Sequence, residues 1–277
     1  MLKLAVSNIA WDEGSVDAIE RLAEAGVNGV EVAPGKIADW DSLDFAAIRD
    51  FRRRCSDVGL VIPSFQAVLF GKPELRLLGT EQEFMGMVEH LRFVAALAAE
   101  AGANILVFGA PRNRARNGRD YDEAMALAED RLGVLAEAVW QHGVAIGLEA
   151  VPSVYGCDFI ESYREALRLV EAVDSPGLRF HLDGGCTVLN GDDVASAVRE
   201  GGGRIAHVHI SQPDLAGFEQ PHPYHEKFSA ALGEIRYGGW CCIEMRQQED
   251  FGLVLSAVGF VREMYGKALG GYGEEDQ

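Results

Sequence analysis

The chain has 277 residues, of which 48% are hydrophobic and 25% charged, as in a globular protein with a sizeable core. Its 43 acidic residues outnumber 25 basic ones, and the resulting net charge of −18 disfavours nucleic acids and anionic membranes as partners. No apolar run approaches the roughly 20 residues that span a bilayer, and no secretory signal is evident, so we expect a cytoplasmic protein. The five cysteines form no CxxC pair, which argues against a disulfide framework or a thiolate zinc site.

Short apolar runs alternate with amphipathic helical stretches along the chain. The runs are rich in Val, Ile and Leu without strict alternation, which is typical of parallel strands buried on both faces. The predicted strands are Leu2–Ser7, Val27–Val32, Leu60–Phe65, Asn104–Phe108, Val144–Glu149, Leu178–Asp183, Ile205–Ile210 and Cys241–Glu244. The predicted helices are Ser15–Ala25, Asp44–Val58, Gln82–Ala101, Asp122–His142, Ile160–Val173, Asp192–Glu200, His225–Ile235 and Phe251–Tyr265, and a polar tail covers about 268–277.

Eight strand-helix units in a chain of this length predict an α/β fold, a single (β/α)8 TIM barrel over residues 1–277. A doubly wound open sheet is the rival architecture. It lacks support because there is no GxGxxG after the first strand and no GxxxxGK[ST] in the chain. No linker or low-complexity stretch indicates a second domain.

The last four predicted strands end in Glu149, Asp183, His209 and Glu244, about one strand-helix unit apart. In such barrels the active site lies at the carboxyl ends of the strands, so these side chains are expected at one mouth. A single acid at a strand end is usually a helix cap or a solvated rim residue, but four successive ligand types are hard to explain that way. Three crowded carboxylates would repel one another unless a cation lay among them. The sequence therefore predicts one divalent metal ion bound by these four residues.

The donor set narrows the identity of the metal. Three carboxylates and one imidazole favour Mn²⁺, Mg²⁺ or Co²⁺, while Zn²⁺ stays open. His207 lies two residues before His209 and points the same way, one layer deeper in the barrel. His181 has the same relation to Asp183. Each of these two histidines either supports the site or simply belongs to the core.

Four segments, "GLEAVP", "FHLDGG", "HVHISQPD" and "YGGWCCIEM", resemble those of the sugar phosphate isomerase/epimerase group, the xylose isomerase-like TIM barrels. The resemblance extends to "GVNGVEVAP" and "AGANILVFGAPRNR" and so covers nearly the whole chain. It implies a metal held by Glu149, Asp183, His209 and Glu244, with the two glutamates also acting as acid/base groups. Many members carry a substrate-contacting histidine three residues after the strand 6 aspartate. Cys186 stands there in this chain, which leaves the substrate open.

The resemblance implies a metal-dependent isomerase or epimerase of a small sugar or sugar derivative. One glutamate would remove a proton next to the carbonyl and the other would return it, through a metal-stabilised enediolate. A lyase that dehydrates a polyol or keto acid at the same site is the first alternative, and a non-catalytic binding barrel is the second. A homo-oligomer stays open, since barrels of this group often pair.

Loop residues at the same mouth are further candidates for substrate binding. Glu31 and Gln66, at or just past strands 2 and 3, either bind substrate hydroxyls or make a local salt bridge and a loop cap. Arg112 is the first of four arginines in "PRNRARNGR", which either clamp an anionic group or pair with surface acids.

The loops after strands 1 and 7 supply the remaining candidates. Trp11 is expected to offer an apolar wall to a sugar ring. His222 and His225, in "QPHPYH", are expected near the mouth, where one of them contacts substrate. Alternatively, His225 only caps the helix that follows.

Overall fold

The computed structural model describes residues 1–12, 15 and 17–270, and these form the predicted parallel barrel. The strands are β1 (Lys3–Ser7), β2 (Gly29–Glu31), β3 (Ser64–Phe65), β4 (Ile105–Phe108), β5 (Ala145–Glu149), β6 (Leu178–Asp183), β7 (Ile205–Ser211) and β8 (Trp240–Glu244). They are ordered β2-β1-β8-β7-β6-β5-β4-β3 in one parallel sheet. Bridges from Gly29 to Val61 and from Val32 to Phe65 join β2 to β3 and close the barrel.

Helices follow the strands and pack around the barrel. They are α1 (Ala18–Glu24), α2 (Phe45–Asp57), α3 (Glu81–Ala101), α4 (Tyr121–Trp140), α5 (Tyr163–Val173), α6 (Gly184–Leu189), α7 (Val194–Gly201), α8 (Tyr224–Glu234) and α9 (Phe251–Gly270). Their apolar faces and the strands form one large core cluster. Within the described ranges, none of the helices is both long enough and apolar enough to cross a membrane.

Several predicted helix boundaries are corrected by capping interactions. The first helix begins at Ala18 rather than at Ser15. The fifth begins at Tyr163 rather than at Ile160, because Ser162 accepts a hydrogen bond from the amide of Glu165 and caps it there.

The two remaining corrections concern a missed helix and the end of the chain. The six-residue α6 was not predicted; it begins where the Asp183 carboxylate accepts a hydrogen bond from the amide of Cys186. The last helix continues to Gly270, beyond the predicted end at Tyr265, and residues 271–277 of the predicted tail lie outside the described part of the chain.

The strand register places the polar strand ends side by side. Asp183 of β6 pairs with His209 of β7, and Glu149 of β5 pairs with His181, two residues before Asp183. Ser211, two residues beyond His209, pairs with Glu244 of β8. Since alternate residues of a strand point to the same face, His207, His209 and Ser211 share one side of β7. The register therefore brings the four predicted metal ligands to one end of the barrel.

One close backbone approach holds α4 against the start of β6. A Cβ atom added at Gly177 would overlap the carbonyl oxygen of Ala136 in α4. Only glycine allows this contact, since every other residue would push the helix away from the strand.

We therefore expect Gly177→Ala to lower the free energy of unfolding by about 1–3 kcal/mol, the usual cost of overpacking a tight contact. Gly133→Ala is the matched control, because a Cβ atom there meets no atom within 4 Å and the residue lies inside α4. This control should gain roughly 0.5–1 kcal/mol from helix propensity. Denaturant unfolding measures both, and an unchanged stability for Gly177→Ala would contradict the packing argument.

Candidate metal centre

Asp183 lies at the centre of two overlapping groups of side chains. One group joins it to Glu149 and Cys186, and the other joins it to His209 and Glu244. In each group, one donor atom from every residue lies within 4.8 Å of the others. Two ligands of one ion with bonds of about 2.1 Å are separated by roughly 3–4 Å, so this spacing suits a shared cation.

The two carboxylate oxygens of Asp183 have different surroundings. Its Oδ1 accepts hydrogen bonds from the backbone amide of Cys186 at 2.5 Å and from Ser211 Oγ at 2.9 Å. Its Oδ2 is buried, has no hydrogen-bond partner among the described residues, and lies 3.7 Å from His209 Nδ1. A buried carboxylate oxygen left without a partner is costly, so Oδ2 is oriented for a ligand that the protein itself does not supply.

The ring of His209 is held from below by Glu31. His209 Nε2 contacts the two carboxylate oxygens of Glu31 at 2.9 and 3.1 Å. The other nitrogen, Nδ1, lies 3.0 Å from Glu244 Oε2 and 3.7 Å from Asp183 Oδ2. Because Nε2 is engaged by Glu31, Nδ1 is the atom directed at the carboxylates, as in a metal-binding histidine oriented by an acid.

Glu31 is itself fixed by a buried network under the mouth. Its carboxylate accepts hydrogen bonds from Ser64 Oγ at 2.8 Å and from Cys242 Sγ at 3.4 Å, and it lies 2.9 Å from His207 Nε2. Burial alone would raise the pKa of Glu31, but His209 and His207 hold it well below its ordinary value. Burial alone would lower the pKa of His209, but the carboxylates of Glu31 and Glu244 raise it well above its ordinary value. Without a metal, Glu31 and His209 form a buried ion pair, and metal binding through Nδ1 would require His209 to release its Nδ1 proton while Nε2 still donates to Glu31.

Two carboxyl groups at the mouth, those of Glu149 and Asp183, have raised pKa values, unlike that of Glu31. Burial, together with the charges of Asp183 and Glu244, raises the pKa of Glu149 to about 8. Burial and the charge of Glu244 raise the pKa of Asp183 to about 6. Both shifts express the cost of confining negative charges in one buried place, and a bound cation would remove that cost.

Glu149 is positioned by two features of the loop after β4. Gly109 leaves room for its side chain, because a Cβ atom there would overlap Glu149 Oε2. The fully buried Arg114 donates hydrogen bonds to the backbone carbonyls of Glu149 at 2.6 Å and of Ile160 at 3.2 Å. Sequence reasoning selected Arg112 instead, and that side chain is exposed. Nothing in a loop of four arginines distinguishes the buried one.

The arrangement of donor atoms at the mouth suits a divalent cation. Two groups of close donor atoms share Asp183, one with Glu149 and the other with His209 and Glu244, and Asp183 Oδ2 is buried without a hydrogen-bond partner among the described residues. Glu149, Asp183, His209 and Glu244 are therefore the residues that would hold it.

The other predicted residues on strands β2, β3 and β6 lie beneath or beside the carboxylates. Glu31 is fully buried, so it supports His209 rather than facing a substrate. Gln66 is also buried and donates a hydrogen bond to Ser7 Oγ at the end of β1. His181 stacks on His207 and presents an edge to His209, with ring centroids 5.4 and 4.2 Å away. Burial lowers the pKa of His181 well below its ordinary value, so its ring is uncharged.

The predicted loop residues divide into exposed and buried ones. His222 is exposed, and its Nδ1 accepts a hydrogen bond from the amide of Tyr224. His225 is buried between α8 and α9, where its Nδ1 lies 2.6 Å from Tyr265 Oη. His225 therefore packs within the helical layer, so of the two histidines His222 stays the candidate for substrate contact, and His225 lies inside α8 rather than at its cap. Trp11 is mostly buried and packs edge-on against Phe251, which makes it chiefly a core residue.

Tyr155 is a residue near the site that sequence reasoning missed. It lies in the loop after β5, where burial and the charges of Cys186 and Asp214 raise its pKa. A backbone hydrogen bond links its phenol to Asp214, in the loop after β7. Tyr155 thus connects two loops at the mouth, a contact that neither loop sequence signals by itself.

Comparison with known proteins agrees with this architecture. The 3-dehydroshikimate dehydratase of Pseudomonas aeruginosa is 30% identical over 193 residues, which are 69% of this chain and 28% of that protein. The chain thus spans less than a third of the length of this curated relative. The structure of 3-keto-D-glucoside 4-epimerase from E. coli has a TM-score of 0.78 at 17% identity, and the match covers 95% of this chain and 100% of that chain.

The structure of D-psicose 3-epimerase from Clostridium cellulolyticum H10 has a TM-score of 0.81 at 13% identity, covering 97% of this chain and 99% of that chain. At such low identity these structures show a shared fold. The family described as the xylose isomerase-like TIM barrel matches residues 19–264. That match spans most of the sequence, and the chain therefore belongs to the xylose isomerase-like TIM barrel family.

Proposed function

We propose that the chain is a divalent-metal-dependent isomerase or epimerase that moves a proton next to the carbonyl of a small sugar or sugar derivative. The convergence of Glu149, Asp183, His209 and Glu244 at the ends of β5 to β8 is the observation that carries this proposal. The names of two proteins of similar fold, a keto-glucoside 4-epimerase and a psicose 3-epimerase, support the class of reaction.

The bound cation would supply a Lewis acid that stabilises negative charge on a substrate oxygen as the adjacent carbon loses its proton. The protein residues have two different roles, holding the ion and transferring the proton. Asp183 and His209 are anchors, because Asp183 is held by Ser211 and Cys186 and His209 by Glu31. Both are nearly fully buried, so neither presents a free face to a substrate.

Glu149 and Glu244 are the residues available for proton transfer. They lie on opposite sides of Asp183, each in a different one of its two groups. Glu149 is buried, and Arg114 holds its backbone carbonyl. The Glu244 side chain is 12% exposed. A substrate bound between them would present one face to each carboxylate, so that one removes the proton and the other returns it.

A dehydratase acting on a polyol or keto acid is the second candidate. It is favoured by the 30% identity to a 3-dehydroshikimate dehydratase. Both reactions begin with the same proton abstraction, and they differ in whether a β-hydroxyl group then leaves. The same carboxylates would serve either reaction.

Metal binding should stabilise the folded protein. Adding Mn²⁺ to the metal-stripped chain at 100 times its dissociation constant should add about 2.7 kcal/mol to the free energy of unfolding. Asp183→Asn should lose most of this gain, because it removes the charge common to both donor groups. Glu137→Gln, on an exposed position of α4, should keep it. Scanning calorimetry measures these gains, and an equal gain in Asp183→Asn would place the ion elsewhere.

Proton exchange should depend on both glutamates. In D₂O, the wild-type chain with Mn²⁺ should exchange the proton next to the carbonyl of a ketose substrate, as followed by NMR. Glu149→Gln and Glu244→Gln should each slow formation of the deuterated isomer or epimer by at least about 100-fold, because this product needs both the group that removes the proton and the group that returns it. Glu137→Gln, the same change at an exposed position, is again the control. Product formation at the wild-type rate in either active-site variant would contradict the assigned roles.

The two candidate reactions give different products from the same assay. An isomerase or epimerase incorporates deuterium without losing water, whereas a dehydratase produces an unsaturated product that absorbs in the ultraviolet. A panel of ketoses and cyclic polyols, followed by NMR and absorbance together, should show deuterium in an otherwise intact sugar. A product from a cyclic substrate that absorbs in the ultraviolet, with no deuterium exchange into sugars, would contradict the epimerase proposal and support the dehydratase.

A further inference from the structure

The thiol of Cys186 lies among the carboxylates of the metal centre. Its Sγ is 3.7 Å from Glu149 Oε1, and it belongs with Glu149 and Asp183 to one of the two groups of close donor atoms. The residue is held in place because its backbone amide donates to Asp183 Oδ1. Cys186 therefore has both the position and the anchoring of a residue that belongs to the site.

The separation of these atoms suits a common ion. A metal-sulfur bond of about 2.3 Å and a metal-oxygen bond of about 2.0 Å, at the roughly 120° between equatorial ligands of a five-coordinate ion, place the two donors roughly 3.7 Å apart. The observed 3.7 Å between Cys186 Sγ and Glu149 Oε1 is close to that value. The thiol donates a hydrogen bond to the carboxylate over this distance, and metal binding would replace that bond with two metal-ligand bonds.

A second observation points to a ligand at the same place. The Asp183 side chain is 1% exposed, and its Oδ2 has no hydrogen-bond partner in the described part of the chain. Asp183 also belongs to the group that contains Cys186. An ion shared by Asp183 and Glu149 would therefore lie within reach of the thiol.

We propose that Cys186 is an additional ligand of the metal ion and binds it as a thiolate, after releasing its proton to solvent. This inference rests on the proposed metal site and deepens it. The family resemblance places a substrate-contacting histidine at this position, so a thiolate ligand would distinguish this chain. Since soft thiolate ligands favour zinc and cobalt over manganese and magnesium, Cys186 would shift the metal preference toward Zn²⁺ and Co²⁺.

The chain contains a second thiol near a group of possible donors, and it provides the control. Cys242 Sγ lies 3.4 Å from Glu31 Oε1, below the mouth. There the carboxylate is already paired with His207 and His209. The two thiols thus belong to different layers of the barrel and can be tested separately.

Cobalt titration tests the proposal without an activity assay. Bound Co²⁺ absorbs in the visible range whatever its ligands, and a thiolate ligand adds a charge-transfer band in the near ultraviolet. The wild-type protein, kept reduced, should show both features. Cys186→Ser should keep the visible bands and lose the near-ultraviolet band, while Cys242→Ala should keep both. In competition experiments, Cys186→Ser should weaken Zn²⁺ binding on the order of tenfold and change Mn²⁺ binding little.

The outcomes separate the two proposals. Visible bands without a near-ultraviolet band in the wild type, or an unchanged band in Cys186→Ser, would overturn thiolate ligation and leave the metal site standing. Loss of the band in Cys242→Ala alone would assign the ligand to the deeper layer and overturn the role of Cys186. Absence of bound cobalt from the wild-type protein would overturn the metal site and this inference together.

Discussion

The structure depends on the confinement of three carboxylates, those of Glu149, Asp183 and Glu244, around one imidazole. Burial and mutual repulsion raise the pKa of Glu149 to about 8 and that of Asp183 to about 6, so the arrangement opposes the ordinary charge state of its own members. His209 brings positive charge into the group, and Glu31 beneath it maintains that charge. The repulsion among these buried carboxylates destabilises the folded protein, and a bound cation would remove that cost.

The rest of the barrel positions these groups. The pairing of β6 with β7 sets Asp183 beside His209. Asp183 also caps α6, so one of its carboxylate oxygens accepts a hydrogen bond from an amide of that helix, while the other has no hydrogen-bond partner among the described residues. Arg114 fixes the backbone at Glu149, and Gly109 leaves space for its carboxylate. The mouth is therefore rigid on the side of β5 to β8. This rigidity suits a site whose ligands must meet at one point.

Local sequence predicted the strand ends but not their partners. Glu149, Asp183 and Glu244 each end an apolar run, so periodicity alone placed them at the mouth of the barrel. The pairing of Glu31 with His209 spans 178 residues, and no local pattern encodes such a contact. Local sequence also could not identify Arg114 as the buried arginine of its loop, because its burial depends on the carbonyls of Glu149 and Ile160, contributed by later segments.

Anomalous diffraction from crystals of the protein soaked in Mn²⁺ tests the central claim most directly. We expect one manganese peak within bonding distance of Glu149, Asp183, His209 and Glu244, with His209 bound through Nδ1. A manganese-soaked protein without a peak among these residues would contradict it. So would a peak confined to the deeper layer formed by Glu31, His207 and Cys242.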